Sequence, residues 1–489
     1  MLPYASLLTL NRYDAQPLYL QLAARLVQQI RQGKLTPGAR LPSTRQLSTL
    51  LGLHRQTVVA AYAELAAQGW LESVARKGLF VAAHLPVISP EPLAREPAPR
   101  AFASRTRFDF AAEAPLARTP AQASQFRLAF DDGFPDVRLA PVGLLARAYR
   151  SVARRPAARR HLHYGAGQGS EHLRAVLAEE LRTTRGLAVT ADNLLITRGS
   201  QMGIYLTARL LLRPGDAVVV GESSYYVADA VFRDQDAQLL RVPVDAHGID
   251  VDAVEQRCRQ QPVRLLYLTP HHHHPTTVTL RADRRHRLLQ LADRYGFAIL
   301  EDDYDYDFHY ASSPILPLAS ADAAGSVVYV GSLCKSLAPS IRVGYLVAPA
   351  DLVRAATRLR RLIDIQGDSL LEEAVAELYK NGDIRRHLAK AVRAYRARRD
   401  LLCELLSSEL GGVAQFQKPA GGLAVWARFA AKTPLADVAG RAHRLGLYLN
   451  DGSFYRAGQA EGNGVRLGFA SLNEEELREA VALLVQAVG

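Results

Sequence analysis

The stretch Ile299-Leu300-Glu301-Asp302-Asp303-Tyr304 constrains this chain most, because an apolar run passes without a break into three carboxylates. A strand of that kind fits the interior of a parallel sheet, with its carboxyl end opening on a site. The stretch Gly331-Ser332-Leu333-Cys334-Lys335 follows thirty residues on and continues through Pro339 to Arg342-Val343-Gly344-Tyr345. It sets one lysine among small hydroxyl residues, with an arginine and another apolar strand behind it. An isolated lysine between serines is usually a surface residue. Downstream of a strand ending in acids it reads as a site.

The residue types point to one chemistry. A lysine amine becomes a covalent catalyst when it condenses with an aldehyde, and Ser332 and Arg342 suit a phosphate. An acid at the strand end, Asp302 or Asp303, keeps a pyridine nitrogen protonated. Pyridoxal 5'-phosphate has all three features.

Upstream, the same organisation repeats. Leu194-Leu-Ile-Thr197 runs into Gly199-Ser200-Gln201 and a helix, and free N–H groups at a helix start attract phosphate. Val218–Glu222 and Leu265–Pro270 read as two more buried strands, followed by Tyr225-Tyr226 and by His271–His274. Successive residues of an extended segment point to opposite sides, so at most two of the four histidines share a face and no metal site is expected. Tyr164–Ser170 is glycine-rich but has no strand before it, and reads as a turn leading into a helix.

The first eighty residues are of another kind. Pro17 opens a helical pattern with Leu18, Leu22, Leu26 and Ile30 on one face, and Gly33 closes it. Ser43 caps a second helix with Leu47, Leu50 and Leu51 turned inward, and Gly52 stops it. Leu53 and His54 lead into a third helix carrying Val58, Tyr62 and Leu65, which gives a helix-turn-helix. Glu72–Val81 reads as two short strands around a basic glycine turn, a wing. From Arg12 to Lys77 nine Lys or Arg face only Asp14, Glu64 and Glu72, the balance of a nucleic-acid surface.

Length and composition agree. A chain of 489 residues exceeds one ordinary core, and 48% hydrophobic with 22% charged residues excludes dominant disorder. Cys258, Cys334 and Cys403 are odd in number and far apart, which argues against a disulfide framework and for a cytoplasmic home. No stretch reaches the ~18 apolar residues of a membrane span. Prolines at 86, 90, 92, 97, 99, 115 and 120 mark a tether.

On these motifs the chain resembles the MocR-type regulators of the GntR superfamily. The opening Pro17-Leu-Tyr-x-Gln-Leu22 and the core Pro37-Gly-x-x-Leu-Pro-Ser43-x-Arg45 are similar to the GntR winged helix. The segments from about Phe126 onward resemble fold-type-I pyridoxal-phosphate aminotransferases. The resemblance implies a winged helix-turn-helix over 12–83 and a Pro-rich linker over 84–121. Over 122–489 it implies an α/β aminotransferase-like domain, with a large mixed sheet and a smaller α/β lid.

It further implies roles for single residues. Arg45, Arg55, Gln56 and Thr57 would face the major groove, with Ser43 also among the DNA-binding residues and Arg76 and Lys77 on phosphate or in the minor groove. His54 stands where serine is common, a poorer cap. Lys335 would bind the cofactor aldehyde, Asp302 the pyridine nitrogen and Tyr304 the ring hydroxyl. Gly199, Ser200, Gln201, Ser332 and Arg342 would hold phosphate, and Tyr226 would stack on the ring. His274 takes the place of the asparagine that meets the ring oxygen. Arg466, or else Arg456, would clamp a ligand carboxylate. The implied function is a pyridoxal-phosphate-dependent regulator that binds promoter DNA as a head-to-tail homodimer and senses an amine, amino acid or vitamer. A working aminotransferase with an accessory DNA-binding domain is the alternative.

Overall fold

A computed structural model describes residues 3–12, 14, 16–75, 77–86, 105–108, 123, 125–310, 315–455 and 463–489. The chain divides into two compact units, Met1–Asp109 and Phe110–Gly489. Most of the proline-rich stretch 84–121, Arg76 and Arg456 lie outside the described residues.

In the smaller unit, helix α1 (Tyr4–Leu7) precedes α2 (Leu18–Arg31), α3 (Thr44–Leu51) and α4 (Arg55–Ala67). Leu22, Leu26, Leu47, Val58 and Leu65 are wholly buried, as their 3.6-residue spacing predicts. Leu50 is 46% exposed, against expectation, because Leu47 and Leu51, four residues apart, already carry the inner face. Ser43 Oγ accepts the Gln46 N–H, and the Gln46 side chain accepts the Ser43 N–H at 2.9 Å, closing a capping box. Gly52, at φ 60°, ends α3 in the left-handed region. His54 does cap α4: its Nδ1 accepts the Gln56 N–H at 3.3 Å. Strands β1 (Leu71–Val74) and β2 (Gly78–Val81) pair antiparallel as the wing.

The larger unit begins with β3 (Leu128–Phe130), α5 (Val142–Arg154) and α6 (Glu171–Arg185), the last capped by Ser170. Next come β4 (Leu194–Thr197), α7 (Ser200–Leu211), β5 (Ala217–Gly221), α8 (Tyr226–Asp234), β6 (Gln238–Val242) and the small hairpin β7 (Val244–Asp245) and β8 (Gly248–Ile249). Helix α9 (Val251–Gln260), β9 (Val263–Leu268), α10 (Ala282–Tyr295), β10 (Ala298–Asp303), β11 (Val327–Ser332) and β12 (Gly344–Val347) complete the main sheet and its cover. Its order is β4-β12-β11-β10-β9-β5-β6, with β12 antiparallel to both neighbours and every other pair parallel. Strands β4 and β5 are buried throughout, which their unbroken apolar sequence requires under helices on both faces.

The stretch after Pro349 divides in two. Helices α11 (Ala350–Arg360) and α12 (Ser369–Lys380) belong to the sheet side, with Val353 and Ala356 in one core layer and Val375 and Leu378 in another. The lid starts at the long α13 (Asp383–Leu410) and continues through β13 (Ala414–Phe416), β14 (Ala424–Phe429), α14 (Leu435–Arg444), β15 (Leu447–Leu449), β16 (Gly464–Gly468) and α15 (Glu474–Val488). It has a sheet of its own, β13-β14-β16, and a core that includes Leu402, Val425, Leu467 and Leu484. Strand β3 joins it by pairing with β15, so Leu128 and Phe130 are buried there. Not all of its arginines are solvated. Arg398 pairs with Asp136 at 3.0 Å and Arg399 donates to Pro419 O at 2.9 Å. Arg360, fully buried on the sheet side, donates to Gly167 O and Ile196 O and anchors the glycine-rich turn before α6. No helix among the described residues is long and apolar enough to cross a membrane.

Three glycines let the backbone close up where β4 and β11 end and β12 begins. A Cβ on Gly344 would stand 2.7 Å from Gly199 Cα and 2.8 Å from Gly331 O, both backbone atoms that cannot swing away. Gly344→Ala is therefore expected to cost about 1–3 kcal/mol as overpacking, read as a lowered midpoint in urea unfolding. An unchanged midpoint would show that the strands separate freely.

Candidate functional site

At the carboxyl ends of the parallel strands lies a cavity of about 250 Å³. It brings together Ser200, Gln201, Tyr226, His274, Asp302, Tyr304, Ser332, Lys335 and Arg342 from five separate stretches of sequence. Gly199 lies beneath Arg342: a Cβ there would be 2.7 Å from Nη2 of the arginine.

Strand alternation separates the two acids that sequence left open. Asp302 lines the cavity, whereas Asp303 turns to the other face, where it accepts from Tyr329 Oη at 2.6 Å and lies 3.1 Å from His271 Nδ1. Asp302 Oδ2 accepts from Tyr267 Oη at 2.9 Å, and its Oδ1 is buried without a partner. Burial, opposed by the Tyr267 hydrogen bond and reinforced by Asp303 and Asp305, pushes its carboxyl up to about 7.

Lys335 donates to Gly133 O at 2.8 Å and lies 4.5 Å from the Phe134 ring. Burial lowers its pKa against the pull of Asp131 and Asp132, which favours the free amine that attacks an aldehyde. Also lining the cavity, Ser200 opens the twelve-residue α7 and Gln201 Oε1 is buried without a partner. Arg342 donates to Arg198 O at 2.8 Å, and Ser332 Oγ accepts the Cys334 N–H at 3.2 Å. Tyr304 donates to His272 O at 3.0 Å.

This donor set fits pyridoxal 5'-phosphate. The orphaned Asp302 oxygen suits a protonated ring nitrogen, the helix start with Ser200, Ser332 and Arg342 suits the phosphate, and Lys335 lines the same cavity.

Two parts of the site were not legible beforehand. Tyr225, passed over for Tyr226, also lines the cavity; its pKa is raised by burial and then by Asp302, which places it at the acid end. Tyr226 is pushed up to about 12 by burial and then by Asp132, and its ring packs 5.1 Å from Phe454. The second part is Asp132. It lies 3.0 Å from Arg466 Nε, accepts from Tyr455 Oη at 2.8 Å and from His274 Nε2 at 2.8 Å. Burial opposes its charge, but His274, Arg466 and Tyr455 outweigh this and hold the carboxyl well below the usual range. Nothing in Phe130-Asp-Asp-Gly133 announced that role.

The four histidines go separate ways. His271 meets Asp303, His272 pairs with Asp305 at 2.8 Å, His273 Nδ1 with Thr276 Oγ1 at 2.8 Å, and His274 with Asp132. Arg466 is buried behind Asp132 and does not line the cavity.

In the smaller unit, Ser43, Arg45, Arg55, Gln56 and Lys77 are exposed and Thr57 is half-buried. Arg55 Nε reaches Thr44 Oγ1 at 3.5 Å, so the starts of α3 and α4 lie side by side.

The buried Asp302 gives a pH signature. In the cofactor-free protein the native state holds this proton between the ordinary 3.8 and about 7 while the unfolded chain releases it. Stability therefore falls as pH rises through that window. Asp302→Asn should flatten this part of the slope, measured as unfolding free energy against pH; Glu301, also pushed up to about 7 by burial, keeps its own share in both proteins. An identical slope in the variant would mean that Asp302 is charged throughout.

Comparison with known proteins agrees with this geometry. Residues 141–484 match the family described as aminotransferase class I and II, and residues 18–81 the bacterial regulatory proteins of the gntR family. The HTH-type transcriptional regulator TauR of Rhodobacter capsulatus is 31% identical over 477 residues, covering 96% of each chain. The probable rhizopine catabolism regulatory protein MocR of Rhizobium meliloti is 29% identical, covering 98% of this chain and 96% of its own. Among solved structures, the α-aminoadipate aminotransferase LysN of Thermus thermophilus superimposes with a TM-score of 0.71 at 28% identity, covering 77% of this chain and 95% of its own. With both segments present in one chain and relatives matched nearly end to end, the protein belongs to the aminotransferase class I and II family and, within it, to the MocR-type transcriptional regulators of the GntR superfamily, whose aminotransferase-like domain takes pyridoxal 5'-phosphate.

Proposed function

We propose that this regulator contacts promoter DNA through the starts of α3 and α4 and through the wing, and carries pyridoxal 5'-phosphate on Lys335. It responds to a small amine, amino acid or vitamer and works as a head-to-tail homodimer. One observation carries the reading: the unpartnered oxygen of Asp302, the amine of Lys335 and the helix start at Ser200 all border a single cavity.

When bound, the cofactor supplies an aldehyde that captures amines. The chain's part is positional. Asp302 holds a proton between itself and the ring nitrogen, Tyr225 and Tyr226 wall the ring, and Ser200, Gln201, Ser332 and Arg342 hold the phosphate. Arg45, Arg55, Gln56 and Thr57, with Ser43 at the cap, read the major groove, and Arg76 and Lys77 contact the backbone or minor groove. A ligand alters DNA affinity only by binding one arrangement of the chain better than another, since equal affinity for both shifts nothing.

Purified protein supplied with the cofactor should show a visible absorption band that Lys335→Ala abolishes. A wild-type protein that stays colourless would overturn the assignment. On DNA from upstream of its own gene, followed by fluorescence anisotropy, Arg55→Ala should cost about 1–3 kcal/mol and relax preference at one base pair. Lys77→Ala should weaken binding to all sequences alike and lower the salt slope by about one. If both variants bind as wild type does, this surface does not meet DNA.

A further inference from the structure

The wall of the cavity facing Lys335 presents an anion, not the arginine that the aminotransferase resemblance leads one to expect. Arg466 is 2% exposed, its Nη1 donates to Pro275 O at 3.0 Å, and a Cβ on Gly133 would stand 3.1 Å from its Nη2. Its Nε lies against Asp132 Oδ1. The aspartate, with 28% of its side chain exposed, lines the cavity in front of it. An internal carboxylate thus already occupies the guanidinium.

A second, separate observation concerns His274. It is 5% exposed, lines the same cavity, and meets Asp132 through Nε2, while its Nδ1 is buried without a partner. Burial, opposed by Asp132, keeps the ring neutral. A neutral imidazole that donates at Nε2 accepts at Nδ1. Two neighbouring residues lining the cavity, Asp132 and His274, are therefore hydrogen-bond acceptors rather than cations.

The remaining surroundings fit the same ligand end. Among the described residues, the cationic side chains lining the cavity are Lys335 and Arg342, which the cofactor-bearing reading assigns to the aldehyde and the phosphate. The lining also includes the aromatic rings of Tyr226, Tyr448, Phe454 and Tyr455, with Asn450 and the buried carboxylate Asp131. Aromatic faces attract cations, and a carboxylate brought against Asp132 would face a like charge. To reach Arg466 it would have to displace Asp132 from three partners.

We infer that this compartment selects an amine whose far end is a second ammonium or a hydroxyl, and discriminates against an amine whose far end is a carboxylate. The inference rests on the cofactor-bearing reading above. It also replaces the expected role of Arg466: the arginine holds Asp132 in place as a positioning residue.

The test compares two ligands of nearly equal length, putrescine and γ-aminobutyrate, on the full chain loaded with cofactor. Calorimetry and the visible spectrum follow the titrations. Putrescine should bind at least about tenfold more tightly, a difference of about 1.4 kcal/mol. Asp132→Ser, which uncovers Arg466, should weaken putrescine and strengthen γ-aminobutyrate by a similar factor. Asp132→Asn, which keeps the side-chain volume, should remove the preference if the serine variant does not fold. Equal affinities in wild type, a preference for γ-aminobutyrate, or no response to putrescine would each overturn the inference while leaving the cofactor assignment intact. Failure to take up cofactor at all would instead overturn the reading beneath it.

Discussion

Around the carboxylate of Asp132 four parts of the large unit meet: the turn after β3, the loop after β9 with His274, Tyr455 after β15, and Arg466 on β16. Such a knot is costly to bury and costly to break. Its charges lose water, and removing any one leaves the others uncompensated, a loss of about 3–5 kcal/mol where a buried ion pair is broken. It therefore does more for arrangement than for net stability. It joins the lid to the sheet beside the cavity, and it decides which charge the cavity sees.

The main sheet supplies the rest of the geometry. Parallel strands buried on both faces must be apolar along their length, so polar residues gather where the strands end, and there Asp302, Ser332 and Lys335 come within one cavity. Close approach at Gly199, Gly331 and Gly344 brings those ends together. The arrangement leaves buried polar atoms unsatisfied, among them Asp302 Oδ1, Gln201 Oε1 and His274 Nδ1. Unmet hydrogen-bonding capacity costs free energy in the bare protein, and a ligand that satisfies it recovers that cost on binding.

The smaller unit works by local rules. Its helices begin at Pro17, Ser43 and His54, and the wing turns at a glycine, so residues within a few positions of one another determine each element. The imidazole at position 54 shows how tolerant such rules are. Any side-chain acceptor that reaches the second N–H can cap the helix, and Nδ1 does so.

Strands, helix caps and the Lys335 stretch could be read from the sequence alone, because each depends on residues close together: apolar runs for β4, β5 and β9, Ser43 as the cap of α3, and an acid-ended strand followed by a lysine among serines. Helix positions erred mainly where periodicity was ambiguous, as at Leu50. The choice between Asp302 and Asp303, the placing of Tyr225 at the acid end, the four destinations of the histidines and the covering of Arg466 by Asp132 were decided only by tertiary structure. Each depends on partners far away in the chain, such as Tyr267 for Asp302 and Arg466 for Asp132, and local sequence carries no signal for a contact that exists only after the sheet and lid have closed on one another.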